Sequence, residues 1–284
     1  MTAASSSPPL ADPAVTVIRP SRGWVSLHLG ELFRYRELVY FLTWRDIKVR
    51  YKQTLLGAGW AILQPFLTMV VFSLFFGELA GLPSDGIPYP IFAYSALLPW
   101  QFFESGVTKA AGSLVLGRNL VTKVYFPRLA VPLGPVLAGL VDFALASVVL
   151  VGLMAYYGYA PTAAIGTLPA FLLLALATTL GVSFLLSAGN VVYRDVGYLA
   201  PFLMRLWFFL TPIVYAASEV PPAFRGLYAL NPMVTVVEGF RYALVHGTAP
   251  TLEMLAVSTA AAAALLLGGT ITFHRMERTF ADVV

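Results

Sequence analysis

Cysteine is absent from the 284 residues of this chain, and charged residues make up only 11% of it. Without thiols the chain forms no disulfide and offers no sulfur ligand to a metal. Its three histidines, His28, His246 and His274, are too scattered for a metal site, so we expect neither a metal nor a bound cofactor. A hydrophobic content of 58% and a mean hydropathy of +0.78 instead predict an integral membrane protein.

Motifs for the use of ATP are also missing, because every lysine follows Ile, Tyr or Thr and none stands in a Gly-Lys-Ser/Thr phosphate loop. No paired carboxylates or His-containing acidic motif is present, which disfavours an enzyme. Three ionisable residues in the predicted spans, Glu104, Asp142 and Arg205, are few for an ion relay. Transport powered by a separate ATPase is the favoured interpretation, with an enzyme acting on lipid-linked sugars and a membrane scaffold as alternatives.

The basic residues are distributed asymmetrically around the apolar segments. Eight of the 18 precede Leu55, and four more lie between Lys109 and Arg128. Three others fall on the same side of the predicted spans: Arg194, Arg275 and Arg278. Only Arg225 and Arg241 fall on the opposite side of the predicted spans. The positive-inside rule therefore places both termini in the cytoplasm after an even number of crossings, and this placement of charge does not suggest nucleic-acid binding.

The predicted fold is an all-α integral membrane protein in four parts. These are a disordered cytoplasmic tail, an amphipathic interfacial helix, a six-span transmembrane domain and a cytoplasmic C-terminal tail, at residues 1–30, 31–54, 55–273 and 274–284. We expect the interfacial helix to carry an i,i+4 ion pair between Asp46 and Arg50.

Six apolar segments are long enough to be spans. They lie near residues 55–77, 89–108, 129–157, 163–189, 197–217 and 251–273. The link from Ser218 to Pro250 is too long for a hairpin and too apolar for a solvated loop, so we predict a re-entrant helical pair that breaks at Asn231-Pro232. The last span carries a stripe of small residues that predicts close helix packing: Ala256, Ala260, Ala264 and Gly268.

Four separated segments resemble one family of membrane proteins: RDIKVRYKQTLLGAGW, VYFPRLAVPL, YRDVGYLAPFLMRLWFFLTPIVY and NPMVTVVEGFRYALV. They resemble the membrane (permease) subunits of ATP-binding-cassette polysaccharide exporters of the O-antigen and teichoic-acid type, the ABC-2 type transporters. The resemblance implies a homodimer in the cytoplasmic (inner) membrane that forms a channel for lipid-linked polysaccharide. It also implies two copies of a separate ATPase that bind ATP and Mg²⁺. O-antigen export is favoured, and teichoic-acid export stays open as the alternative.

The resemblance further implies roles for particular residues. The inner loop from Lys109 to Arg128 would hold a coupling helix that docks on the ATPase through Arg118, Asn119, Lys123 and Arg128. The cytoplasmic entrance would be formed by Arg45, Lys48 and Arg50. Aromatic residues of the first and fifth spans are candidates to line the channel: Trp60, Phe66, Phe72, Trp207, Phe208 and Tyr215.

Arg205 stands out because a guanidinium inside a span is costly against lipid and must find protein or water. One hypothesis pairs it with Asp142 or Glu104 inside the bundle. The other hypothesis exposes Arg205 to the channel, where its guanidinium would bind the phosphate of a lipid carrier through two hydrogen bonds. Both hypotheses remain open from the sequence.

Overall fold

The computed structural model describes residues 33–52, 57–123, 125–221, 224–278 and 280, and every regular element among them is helical. The α-helices are α1 (Arg36–Tyr51), α2 (Gly59–Phe72), α3 (Tyr89–Leu116), α4 (Arg118–Lys123), α5 (Ala130–Tyr157), α6 (Leu168–Val192), α7 (Val196–Phe209), α8 (Arg225–Ala229), α9 (Pro232–Val245) and α10 (Leu252–Glu277). A π-helix, Ser73–Leu79, continues α2. The predicted all-α fold is confirmed. The predicted N-terminal tail lies outside the described residues.

Helix α3 is the centre of the bundle. It contacts α2, α5, α6, α7 and α9, and most of its side chains are buried. Its large residues Phe92, Tyr94, Trp100 and Phe103 are fully buried. A helix that is apolar around most of its circumference is stable only when neighbours cover it on several sides, which explains its central position.

Among the residues that the structure describes, four helical segments are long and apolar enough to cross a membrane: Gly59–Leu79, Ala130–Tyr157, Ala163–Val192 and Leu252–Glu277. They coincide with the first, third, fourth and sixth predicted spans. Helix α3 is long enough, but its Tyr, Trp, Gln and Pro residues lower its hydropathy, and α7 has only 14 residues. The fold is thus a helical membrane bundle, and the crossings at α3 and α7 stay predictions.

Helices α6 and α10 cross at two glycines. A Cβ on Gly181 would lie 2.6 Å from the backbone carbon of Leu265, and one on Gly269 would lie 2.2 Å from the Gly181 carbonyl oxygen. The predicted small-residue stripe does not make this contact, because all four of its residues are exposed: Ala256, Ala260, Ala264 and Gly268. Packing inside the chain uses the other side of α10, so the stripe is free to meet lipid or another chain.

Asn231 joins α7 to α9 through both polar atoms of its side chain, Oδ1 and Nδ2. Its Oδ1 accepts from the backbone N–H of Met233 at 3.0 Å and from Trp207 Nε1 at 2.8 Å. Its Nδ2 donates to the carbonyl of Leu210 at 3.1 Å and to Thr211 Oγ1 at 3.0 Å. Helix α9 begins at Pro232, the position of the predicted break, because Asn231 caps it and proline fits its first turn.

Arg241 belongs to α9, and the sequence places it with the outer basic residues. Its side chain is buried in the bundle, with 2% of its surface exposed. Its Nη1 donates to Glu238 Oε1 at 2.8 Å, and its Nη2 donates to the carbonyl of Ile213 at 3.1 Å. The guanidinium carbon also lies 3.5 Å from the centre of the Phe92 ring. This one side chain therefore ties α9 to α3 and to the segment after α7.

Candidate functional site

Helices α2 and α7 each expose a set of apolar side chains, and we call these two sets together the α2/α7 face. It is joined where Phe72 and Phe208 pack edge to face at 5.8 Å. Its exposed members on α2 and the π-helix are Trp60, Phe66, Leu67, Val71, Leu74 and Phe75. Its exposed members on α7 are Phe202, Arg205, Leu206 and Phe209. An apolar face of this size requires lipid or another protein to cover it.

The structure separates the six predicted channel-lining aromatics into two groups. Trp60 and Phe66 lie on the α2/α7 face, with 50% and 38% of their surfaces exposed. The other four are only half-exposed: Phe72, Trp207, Phe208 and Tyr215. Phe202 and Leu206 were not among the candidates from the sequence, although their spacing of four residues already marks one side of a helix.

Three of the half-exposed aromatics, Phe72, Trp207 and Phe208, pack between α2, α3 and α7, whereas Tyr215 contacts α8. The ring of Phe208 packs edge to face on Trp100 at 5.6 Å, and Trp207 packs on Phe103 at 5.1 Å. The hydroxyl of Tyr215 lies 2.8 Å from that of Tyr228. These side chains fix α7 against α3, and so they hold the α2/α7 face in position.

Arg205 is exposed on the α2/α7 face and makes no ion pair with any residue in the described ranges. It does not pair with Asp142, because Arg50 and Tyr51 occupy that carboxylate. Glu104 interacts electrostatically with Arg205, yet its nearest donor is Trp100 Nε1 at 3.1 Å. Neither carboxylate therefore forms an ion pair with Arg205, and Glu104 acts on it only electrostatically.

The three predicted entrance residues on α1 differ in their surroundings. Arg45 is exposed and donates to Asp46 Oδ1 at 2.8 Å, and Lys48 is exposed with its amine 5.4 Å from the Trp44 ring centre. Arg50 is half-buried. The predicted pair between Asp46 and Arg50 is wrong, because Arg50 turns towards α5 and leaves Asp46 to its neighbour Arg45.

Asp142 on α5 is held by Arg50 Nη1 and by the hydroxyl of Tyr51, and Lys109 Nζ lies 3.9 Å from it. We call this group the Asp142 clasp. Burial lowers the pKa of Arg50, while the neighbouring Tyr51 and Asp46 raise it, and burial raises the pKa of Tyr51. Tyr51 therefore stays protonated and can donate its hydrogen bond. The clasp compensates a carboxylate within an apolar helix.

A cavity of about 400 Å³ lies beside the clasp, between α2, α3 and α5. Its charged lining residues are Arg50, Glu104, Lys109 and Asp142. Its uncharged polar lining residues are Tyr51, Gln64, Gln101, Ser105 and Thr108. Trp60 lines it as well, so the cavity borders the α2/α7 face. The volume is within the range of small-molecule pockets.

Three of the four predicted ATPase-coupling residues lie on the short helix α4, and they are exposed: Arg118, Asn119 and Lys123. Val121 anchors α4, with 2% of its surface exposed. Arg128 differs from them, because its backbone N–H donates to Glu277 Oε1 at 3.2 Å and its Nη1 to the Glu277 carbonyl at 2.5 Å. Arg128 thus joins the loop to the end of α10, and the α4 residues are the ones available to a partner.

The turn between α6 and α7 lies at the same end of the bundle as α4, because Asn190 Nδ2 donates to the carbonyl of Ala111 at 2.9 Å. Tyr193 and Tyr198, on either side of this turn, are largely exposed. Leu116 and Tyr125 flank α4 and are also exposed. Together with α4 they form a mixed basic and aromatic surface, the α4 surface.

The described part of the chain contains four apolar helices of bilayer length and an exposed aromatic face, which together define a multi-pass membrane protein. The ABC-2 type transporter family matches residues 37–245. The chain therefore belongs to the ABC-2 type transporter family, as its four sequence segments predicted. It is a transporter subunit of the inner membrane.

Relatives of this chain include O-antigen export permeases and a polysialic acid transport protein. The chain is 33% identical over 257 residues to the O-antigen export system permease protein RfbA of Myxococcus xanthus, covering 89% of this chain and 98% of the relative. It is 28% identical over 258 residues to an RfbA of Klebsiella pneumoniae, covering 90% and 97%. It is 24% identical over 210 residues to the polysialic acid transport protein KpsM of Escherichia coli, covering 72% and 79%. With each of the three relatives, the similarity covers most of this chain and most of the relative.

Proposed function

We propose that this chain is the membrane subunit of an exporter that carries lipid-linked polysaccharide of the O-antigen class across the inner membrane. The observation that carries the proposal is its similarity over 98% of an O-antigen export permease. The similarity to the polysialic acid transporter is weaker and covers less of the chain. The exposed aromatic face of α2 and α7 supports the same function, because aromatic rings provide flat surfaces for a sugar polymer.

Two copies of the chain form the channel, with the α2/α7 faces turned towards each other. Against lipid, the exposed Arg205 would cost a few kcal/mol, whereas a watery channel between two copies leaves it solvated. Six crossings at α2, α3, α5, α6, α7 and α10 put both termini in the cytoplasm, and α8 and α9 form the re-entrant pair.

A separate ATPase, in two copies, binds ATP and Mg²⁺ and docks on the α4 surface. Arg118 and Lys123 supply exposed positive charge for acidic groups of that partner, and the neighbouring tyrosines supply apolar contact area. Arg128 maintains the shape of the loop through Glu277 and stays out of the interface.

Export is tested in cells that lack this chain. We expect surface polysaccharide to disappear and lipid-linked polymer to accumulate on the cytoplasmic side, with both effects reversed by the wild-type chain. The polymer is measured by surface labelling and by extraction of the lipid-linked fraction. Normal surface polymer in the deletion strain would contradict the proposed cargo.

The dimer is tested by crosslinking, for which the absence of cysteine is an advantage. A single introduced cysteine can crosslink only to a second copy of the chain. We expect Phe202→Cys and Phe209→Cys on the α2/α7 face to give dimers with a short bifunctional reagent. Tyr156→Cys on α5 is the matched control, because Tyr156 is more exposed than Phe202 and Phe209 but lies off the face. Dimers from the control alone, or from no variant, would exclude this arrangement.

A further inference from the structure

The cavity beside the Asp142 clasp is lined by a polar stripe on an otherwise apolar helix. Gln101, Glu104, Ser105, Thr108 and Lys109 of α3 all line it, and their spacing of three, one, three and one residues places them on one side of the helix. The rest of α3 near them packs into the apolar core. Polar residues at this depth are costly, and they mark positions that face water or a ligand.

Four uncharged polar residues that line the cavity, three on α3 and one on α2, have unused hydrogen-bonding groups. The side chains of Gln64, Gln101, Ser105 and Thr108 make no hydrogen bond within the described part of the chain. They offer amide and hydroxyl donors and acceptors that converge on one cavity. Gln64 is exposed and the other three side chains are half-buried, so these groups are accessible to a ligand with several hydroxyl groups.

The charges of the cavity largely cancel. Arg50 binds Asp142, Lys109 lies 3.9 Å from the same carboxylate, and Glu104 supplies the second negative charge. Two cations and two carboxylates give no net charge to attract a phosphate or a diphosphate. This balance favours an uncharged polar ligand.

Trp60 completes the lining with an aromatic ring. It borders the cavity and is also half-exposed on the α2/α7 face, so a ligand in the cavity is next to the channel. A flat ring beside amides and hydroxyls provides both the apolar and the polar contacts that a pyranose needs. We infer that this cavity binds an uncharged sugar unit of the exported polysaccharide. The inference rests on the proposed function, and it places a sugar site inside each copy of the chain.

The test uses the chain assembled with its ATPase in lipid nanodiscs. The probe is polysaccharide released from its lipid carrier by mild acid, and its oligosaccharide fragments, with binding followed by tryptophan fluorescence and calorimetry. Gln64→Leu combined with Gln101→Leu removes two amides at similar volume. We expect the affinity for the fragments to fall about tenfold, the effect of losing two ordinary hydrogen bonds.

A second variant, Ser105→Ala combined with Thr108→Val, removes the hydroxyl groups and is expected to weaken binding in the same way. Thr68→Val is the matched control, because its hydroxyl bonds only to the backbone of its own helix and does not line the cavity. Each variant must elute as the assembled complex. Equal affinity in all variants and the wild type would overturn the inference.

Two competition experiments distinguish other ligands. Displacement of the fragments by inorganic diphosphate would overturn the sugar assignment in favour of a phosphate site. Displacement by a zwitterionic phospholipid would do so in favour of a lipid headgroup. If the wild-type complex exports polymer but binds no fragment, the inference fails while the proposed function stands. Failure of export as well would contradict both.

Discussion

Replacing the buried guanidinium of Arg241 should be among the most damaging single changes in this chain. Arg241→Met removes the donor to Glu238 Oε1, the donor to the Ile213 carbonyl and the cation above the Phe92 ring. It also leaves the Glu238 carboxylate, which is 8% exposed, without its partner. Breaking one side of a buried pair of this kind costs about 3–5 kcal/mol, and most of that cost is the uncompensated charge.

The same reasoning predicts strong coupling between the two residues. In Arg241→Met combined with Glu238→Gln, no charge is left unpaired, so the double variant should lose less stability than the sum of the two single losses. We expect a coupling of at least about 1 kcal/mol, measured as free energy of unfolding by denaturant titration in mixed micelles. Glu253→Gln, at an exposed position in the first turn of α10, is the control and should change stability by less than about 0.5 kcal/mol. Additive losses from the two single variants would refute the argument.

Three further changes follow from the contacts described above. Gly181→Ala should destabilise the fold by about 1–3 kcal/mol, because its Cβ meets backbone, whereas Gly268→Ala, with open space around it, should be neutral or stabilising in the same micelle titration. Asn231→Ala should cost about 2 kcal/mol and increase protease cleavage between α7 and α9, because the cap and the link to α7 are lost together. Charge reversal at Arg118 and Lys123 should reduce ATPase co-purification and export without reducing membrane insertion, and unchanged co-purification would remove α4 from the docking surface.

Short stretches of the sequence are sufficient to predict part of this structure. The dipeptide Asn231-Pro232 predicts a helix start from chemistry alone, since asparagine caps and proline fits the first turn, and α9 begins there. The exposed stripe that ends at Phe209 is likewise visible in the spacing of residues on α7. Both depend on neighbours within a few positions of the chain.

Other features depend on contacts between distant segments, and the sequence does not encode these locally. The partner of Asp142 is Arg50, which lies 92 residues away in the chain. The sequence had predicted an ion pair between Arg50 and its helical neighbour Asp46. The α6–α10 contact uses Gly269, next to the regular small-residue stripe that ends at Gly268. In both cases the sequence identifies residue types suited to a contact, while the packing of whole helices decides which of them makes it.

The position of the Asp142 clasp also decides how Arg205 must be explained. Asp142 was one of the two candidates within the chain to neutralise that guanidinium, and α1 supplies Arg50 and Tyr51 to it instead. Glu104 faces the cavity and accepts from Trp100. Arg205 is then a cation on an apolar, exposed helix face with no ion pair among the described residues. Such a charge is costly against lipid, and Glu104 acts on it electrostatically without forming an ion pair. In the channel that we propose, water, phosphate or a second chain completes its compensation.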